Sequence, residues 1–91
     1  MNAPKIPRLR LLGRQDCGLC EQMTVDLLPA LEAGHLQLEP QDVDCEAQLQ
    51  RRYGLRIPVL IDDWDEVVCE GRLDAAALQQ WLHEQACRDA R

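Results

Sequence analysis

Four short stretches of this chain carry the alternating or wholly apolar pattern of β-strands, and three longer ones carry a helical period. Arg8-Leu9-Arg10-Leu11-Leu12 alternates and then turns apolar, as a strand entering a buried sheet does, and Gly13 breaks it. From about Cys17 to Ala33, Cys20, Met23, Leu27, Leu28 and Leu31 recur at helical spacing as one apolar stripe, which Leu19 and Cys20 begin. Asp16 suits the N-cap and Gly34 the C-terminal stop. Pro29 falls inside this pattern. At about 3 kcal/mol for an uncompensated interior proline, the expectation is a helix with a distorted last turn. Leu36, Leu38 and Val43 alternate imperfectly around Pro40, which predicts a strand at a sheet edge or with a bulge. Asp44 is placed to cap a short helix through Tyr53, with Leu49 and Tyr53 facing the core and Gly54 as its stop.

Ile57-Pro58-Val59-Leu60-Ile61 is the strongest strand signal in the chain. Asp62 to Asp65 read as a turn, Val67-Val68-Cys69 resume the strand, and Gly71 ends it, so the two strands pair as an antiparallel hairpin. The last helix has the clearest start. Asp74 is the N-cap, Leu73 and Leu78 staple its first turn, and Leu78, Trp81 and Leu82 continue the stripe. The order β-α-β-α-β-β-α predicts an α/β fold with a parallel βαβ half and an antiparallel half, in one mixed sheet of about four strands flanked by helices.

Ninety-one residues make one small domain, 1–91, with residues 1–7 as a loose lead that contains Pro4 and Pro7 and no apolar run. Phe is absent and aromatics are few, so the core must be mostly Leu, Val, Ile and Ala. The net charge of −6 argues against nucleic acid and against anionic membrane surfaces, since both select basic patches. No stretch approaches the ~18 consecutive apolar residues that span a bilayer. The expectation is a cytoplasmic protein.

The chain has five cysteines, an odd number for a secreted disulfide scaffold. Cys17 and Cys20 stand apart from the others, two residues between them, at the junction of first strand and first helix. A thiol there meets the unpaired N–H groups and positive dipole end of the helix, which favour its thiolate. Arg14 adds to that effect, whereas Asp16 and Glu21 oppose it, so a moderately lowered Cys17 pKa is expected. Cys20, on the stripe, should be the less accessible of the two. Cys45 and Cys69 read as small apolar core residues, Cys87 as accessible, and His35 and His83 as solvated. Trp81 belongs to the core. Trp64 either folds over the hairpin or marks a partner surface.

Taken in order, Cys17-Gly18-Leu19-Cys20, Tyr53-Gly54, Ile57-Pro58-Val59-Leu60 and Gly71-Arg72-Leu73 resemble the small glutaredoxin-like bacterial proteins, over nearly the whole domain. The resemblance implies a thioredoxin-like fold of glutaredoxin type and a dithiol–disulfide oxidoreductase active in cell redox homeostasis. Cys17 would be the exposed nucleophile and Cys20 the resolving thiol. Pro58 would be cis and face the dithiol, with Ile57 offering its backbone to substrate. Arg14 matches a cation that meets a glutathione carboxylate, and the region of Gly71 and Asp74 matches the part that holds the other end. No tightly bound cofactor is implied; glutathione is a co-substrate, and the partners are protein or glutathione disulfides. The chain departs from the pattern at Glu70, where glutaredoxins carry a glycine, and at Arg56-Ile57 before the proline.

Two other readings of the same residues stand beside this one. One is a thioredoxin-fold module that binds a protein without catalysis. The other is an iron–sulfur cluster bridged between two chains through Cys17 and an external thiol. A zinc site is disfavoured, because Cys45, Cys69, Cys87, His35 and His83 offer no second short-spaced pair.

Overall fold

A computed structural model describes residues 6–89 of the chain. The elements follow the expected order: β1 (Arg8–Gly13), α1 (Gly18–Glu32), β2 (Gln37–Asp42), a 3₁₀ turn (Val43–Cys45), α2 (Ala47–Tyr53), β3 (Val59–Ile61), β4 (Val67–Glu70) and α3 (Ala75–Asp89). The strands form one sheet in the order β2-β1-β3-β4. β1 pairs with β2 in parallel and with β3 antiparallel, and β3 and β4 form the antiparallel hairpin. The first five residues of the expected lead lie outside the described range. Pro7 is not loose, because its carbonyl accepts the Gln37 N–H at 2.8 Å.

The alternation in β1 and β3 divides the core between the two faces of the sheet. Leu9, Leu11 and Leu60 point to one face, where they pack against Met23 and Leu27 of α1 and Leu78 and Trp81 of α3. Leu12, Val59 and Ile61 point to the other, against Val43 and Tyr53. Each such side chain contributes ~1.5–3 kcal/mol on burial, and together they fix the register from which the loops project. β2 is an edge strand, so Pro40 is accommodated at an edge.

Several local expectations are corrected. α1 runs unbroken past Pro29 and closes in a Schellman motif: His35 N–H donates to Ala30 C=O, Gly34 N–H donates to Leu31 C=O, and Gly34 adopts a φ of 75°. Leu28 is exposed, because at 100° per residue it has rotated off the face that Leu27 buries. Asp44 does not cap α2. It lies within the 3₁₀ turn, where its N–H donates to Asp42 Oδ1, and the α2 cap position falls on Glu46. Cys45 is exposed rather than core, since that turn directs Val43 inward and leaves Cys45 outside.

At the hairpin, Asp62 is only 2% exposed. Its Oδ1 accepts the N–H groups of Trp64 and Glu66, and its Oδ2 accepts Trp81 Nε1–H at 3.2 Å. One carboxyl group therefore closes the loop and fastens it to α3. Trp64 is 65% exposed, with the Arg88 guanidinium 5.4 Å from its ring centroid. Among the described residues no helix is long and apolar enough to cross a membrane.

Candidate active site

β1 delivers the chain to Gly13, directly behind the second cysteine. A Cβ at this position would lie 3.0 Å from Cys20 Sγ, so the absent side chain leaves room for that sulfur. Gln15 and Asp16 then form a turn, in which Asp16 has a φ of 58°. Asp tolerates this left-handed conformation better than most residues. The turn moves the helix start one residue onward, and the N-cap is Cys17 rather than Asp16. Cys17 Sγ accepts the Cys20 N–H at 3.2 Å, and Cys17 C=O accepts the Glu21 N–H. The sulfur thus occupies the place of a capping oxygen, at the positive end of a helix of 15 residues.

Cys17 and Cys20 are joined as a disulfide, with their Cα atoms 5.2 Å apart. Cys17 is half-buried and Cys20 is 8% exposed, the expected outer and inner order. Leu19 does not begin the buried stripe. It is 49% exposed, because the first turn projects it away from the sheet, and the stripe opens at Cys20.

The Ile57–Pro58 peptide is cis. Pro58 is buried, and its carbonyl accepts the Gly71 N–H at 2.8 Å. Gly71 has a φ of 78°, where a side chain would be strained. Gly71, Arg72 and Leu73 line a cleft of about 550 Å³ with Gly18, Leu19 and Gln22. The structure therefore brings the dithiol helix start and the Gly71 segment to one cleft and ties that segment to Pro58. Asp74, further along, caps α3 by accepting the Ala77 N–H. Beneath it, burial pushes the Cys69 thiol pKa up.

Arg14 is committed within the chain. Its Nε donates to Asp44 Oδ2 at 2.7 Å and a terminal nitrogen donates to Asp44 Oδ1 at 2.9 Å; the other reaches Gly54 C=O at 3.4 Å. Hydrogen bonding from Arg14 holds the Asp44 carboxyl below the usual carboxylate range. Arg56 behaves alike. Its Nε donates to Glu70 Oε2 at 2.7 Å and a terminal nitrogen to Glu70 Oε1 at 3.2 Å, while its guanidinium lies 5.4 Å from the Tyr53 ring centroid. Hydrogen bonding from Arg56 likewise lowers the Glu70 pKa.

Three elements of this arrangement escaped the sequence reading. Arg56 and Glu70 are departures from the glutaredoxin pattern that turn out to be partners, and Asp44 is the partner of Arg14. Asp62 carried one usable signal, an Asp directly after the most apolar strand, where Asx turns form. His35 and His83 are both exposed. Among the described residues no group of three or more His, Cys, Asp or Glu side chains is placed to hold a metal ion.

Comparison with known proteins agrees with this geometry. Residues 8–83 match the family described as Glutaredoxin-like domain. The solution structure of protein Ne2328 from Nitrosomonas europaea superposes with a TM-score of 0.78 at 29% identity, over 89% of this chain and 96% of that one. The X-ray structure of protein XcR50 from X. campestris gives a TM-score of 0.63 at 37% identity, over 84% and 96%. Its solution structure gives 0.61 at 37% identity, over 84% and 92%. No functionally curated protein matches the chain. The fold is thioredoxin-like. The chain belongs to the glutaredoxin-like domain family, and its Cys17–Cys20 pair at the start of α1 fits a redox role.

Proposed function

We propose that the protein is a dithiol–disulfide oxidoreductase in which Cys17 attacks and Cys20 resolves. The observation that carries this reading is the placement of Cys17 Sγ as the N-cap of α1, with Cys20 buried behind it within bonding reach. In the reduced protein the Cys17 thiolate attacks one sulfur of a substrate disulfide. A mixed disulfide forms, and the other substrate sulfur leaves as a thiolate that takes up a proton. Cys20, deprotonated, then attacks Cys17 Sγ and releases the second substrate thiol. The substrate gains two electrons and two protons, and the chain is left with the Cys17–Cys20 disulfide. An external dithiol, or two monothiols, returns it to the reduced state.

The remaining site residues take supporting roles. Ile57 makes no backbone hydrogen bond among the described residues, so its peptide groups remain available to an extended substrate beside Pro58. Gly71 lines the cleft that receives it, and Asp74, which does not line that cleft, caps α3. A reducing cytoplasm suits a chain whose Cys45, Cys69 and Cys87 remain free thiols.

The test is thiol trapping. With Cys20→Ser, Cys17 should accumulate as a mixed disulfide detectable by mass; with Cys17→Ser, reduction of disulfides by the protein should cease. Full activity in Cys17→Ser would sink the assignment and favour the binding-module reading.

A further inference from the structure

The cleft beside the dithiol has α1 as one wall, through Gly18, Leu19, Gln22 and Asp26, and the segment from Gly71 to Leu73 as the other. Gly18 and Asp26 lie about 12 Å apart along the helix axis at ~1.5 Å per residue. An extended polypeptide advances ~3.3 Å per residue, so about four of its residues fit that length.

Arg72 is the cation of this cleft. It is exposed, and among the described residues it makes no ion pair, whereas Arg8, Arg10, Arg14 and Arg56 are each joined to a carboxylate. Its backbone is fixed on both sides. Gly71 donates its N–H to Pro58 C=O at 2.8 Å, and Asp74 caps α3 by accepting the Ala77 N–H. Arg72 therefore combines an anchored backbone with an uncommitted guanidinium. Asp26 lines the same cleft without pairing with it; one of its carboxylate oxygens accepts the Gln22 amide at 2.9 Å.

A guanidinium so placed favours a substrate that brings a carboxylate to it. The carboxylate can belong to a small thiol or to an acidic side chain of a polypeptide. The cleft favours the polypeptide: its length takes several extended residues, the peptide groups of Ile57 are available to such a chain, and exposed Leu19 adds apolar contact beside the cysteines. The net charge of −6 gives an acidic partner no general attraction, so the preference has its origin in this one side chain. Asp26, at the far end of the helical wall, repels an acid placed there and confines the preference to positions close to the attacked cysteine.

We propose that Arg72 is a specificity-determining residue that directs the dithiol site to polypeptide disulfides carrying an acidic side chain within a few residues of the attacked cysteine. This rests on the dithiol reading above.

The experiment is single-turnover oxidation of the reduced protein by symmetric peptide disulfides, quenched with acid and counted by alkylation. Glu, Gln or Lys is scanned through the positions on either side of the peptide cysteine, and glutathione disulfide forms a separate arm. At the favoured position the Glu peptide should react up to roughly fivefold faster than the Gln peptide, the upper end for one exposed ion pair, and the Lys peptide slower than both. Arg72→Gln should bring the Glu-to-Gln ratio to about one, and Arg72→Glu should invert the order; taking ratios within each variant cancels any change in Cys17 reactivity. Relative to the Gln peptide, the Glu peptide should lose more rate in Arg72→Gln than glutathione disulfide does. An equal loss with glutathione disulfide would assign the carboxylate to a small thiol and overturn the proposal. Equal rates for Glu, Gln and Lys at every position, or a Glu preference that survives Arg72→Gln, overturns it as well while leaving the dithiol reading intact. If no disulfide oxidises the unmodified protein, the dithiol reading itself fails and takes the proposal with it.

Discussion

Breaking the contact between Asp62 and Trp81 should destabilise the fold by an amount the structure allows one to state. Asp62 Oδ2 and Trp81 Nε1 are 3.2 Å apart in a buried setting, and Asp62 Oδ1 is already occupied by two loop N–H groups. Trp81→Phe removes the donor and orphans a buried oxygen, at about 2 kcal/mol, and the smaller ring forfeits about 1 kcal/mol of burial. Asp62→Asn keeps an oxygen for the loop but turns an NH₂ group toward the indole N–H, again at about 2 kcal/mol. Both changes break the same bond. The double variant should therefore lose about 3 kcal/mol rather than the 5 or so of a simple sum. The assay is urea unfolding of the oxidised protein followed by far-UV circular dichroism, because Trp81→Phe removes a fluorophore. In Tm, 2 kcal/mol is a fall of roughly 8–16 °C for a domain of this size. Costs that add to within ~0.5 kcal/mol would refute the bond as a source of stability. The consequence reaches the site, since this one carboxyl group fastens the β3–β4 hairpin, which carries Glu70 and leads to Gly71, onto α3.

Two other outcomes follow from the same coordinates. In the oxidised native protein, N-ethylmaleimide should label Cys45 and Cys87 quickly and spare Cys69, which is buried with its thiol pKa raised; mass spectrometry after brief exposure reads this directly, and rapid labelling of Cys69 would contradict the packing under α3. Asp44 and Glu70 have depressed pKa values, so the stability each contributes is present above the unfolded carboxylate range near pH ~4 and is lost as pH falls through the lower folded value. The gap in urea midpoint between the wild-type protein and Asp44→Asn with Glu70→Gln should therefore narrow as pH falls from 6 to 3, and a gap of equal size at both ends would show that ionisation of these groups contributes nothing.

The sheet and its helices were legible because each depends on a period that one chain segment carries alone. Leu9, Leu11 and Leu12 announce both faces of β1, and the run from Ala75 to Leu82 announces α3 and its cap. What misled was local geometry that a period does not encode. A single left-handed residue, Asp16, moved the cap of α1 to Cys17, and a three-residue 3₁₀ turn removed Asp44 from α2 and Cys45 from the core. Pro29 looked disruptive because propensity counts its lost N–H, yet the stripe from Met23 to Leu27 and the Schellman closure hold α1 through it. Tertiary packing outweighs a propensity penalty of that size.

The candidate site divides along the same line. Cys17, Cys20, Pro58 and Gly71 were legible because their chemistry or backbone demands are intrinsic to the residue. The charged residues were not, because a charge acts through whichever partner reaches it, and the partners lie far off in sequence: Asp44 is 30 residues from Arg14, and Glu70 is 14 from Arg56. Arg14, read alone, is a cation beside a thiolate. Paired with Asp44 it is a nearly neutral dipole, whose field at Cys17 falls off faster with distance than that of a free charge. The N–H groups at the head of α1 have no such competitor, and one already donates to Cys17 Sγ. In the dithiol reading, then, it is the backbone at the head of α1, more than Arg14, that would stabilise a Cys17 thiolate.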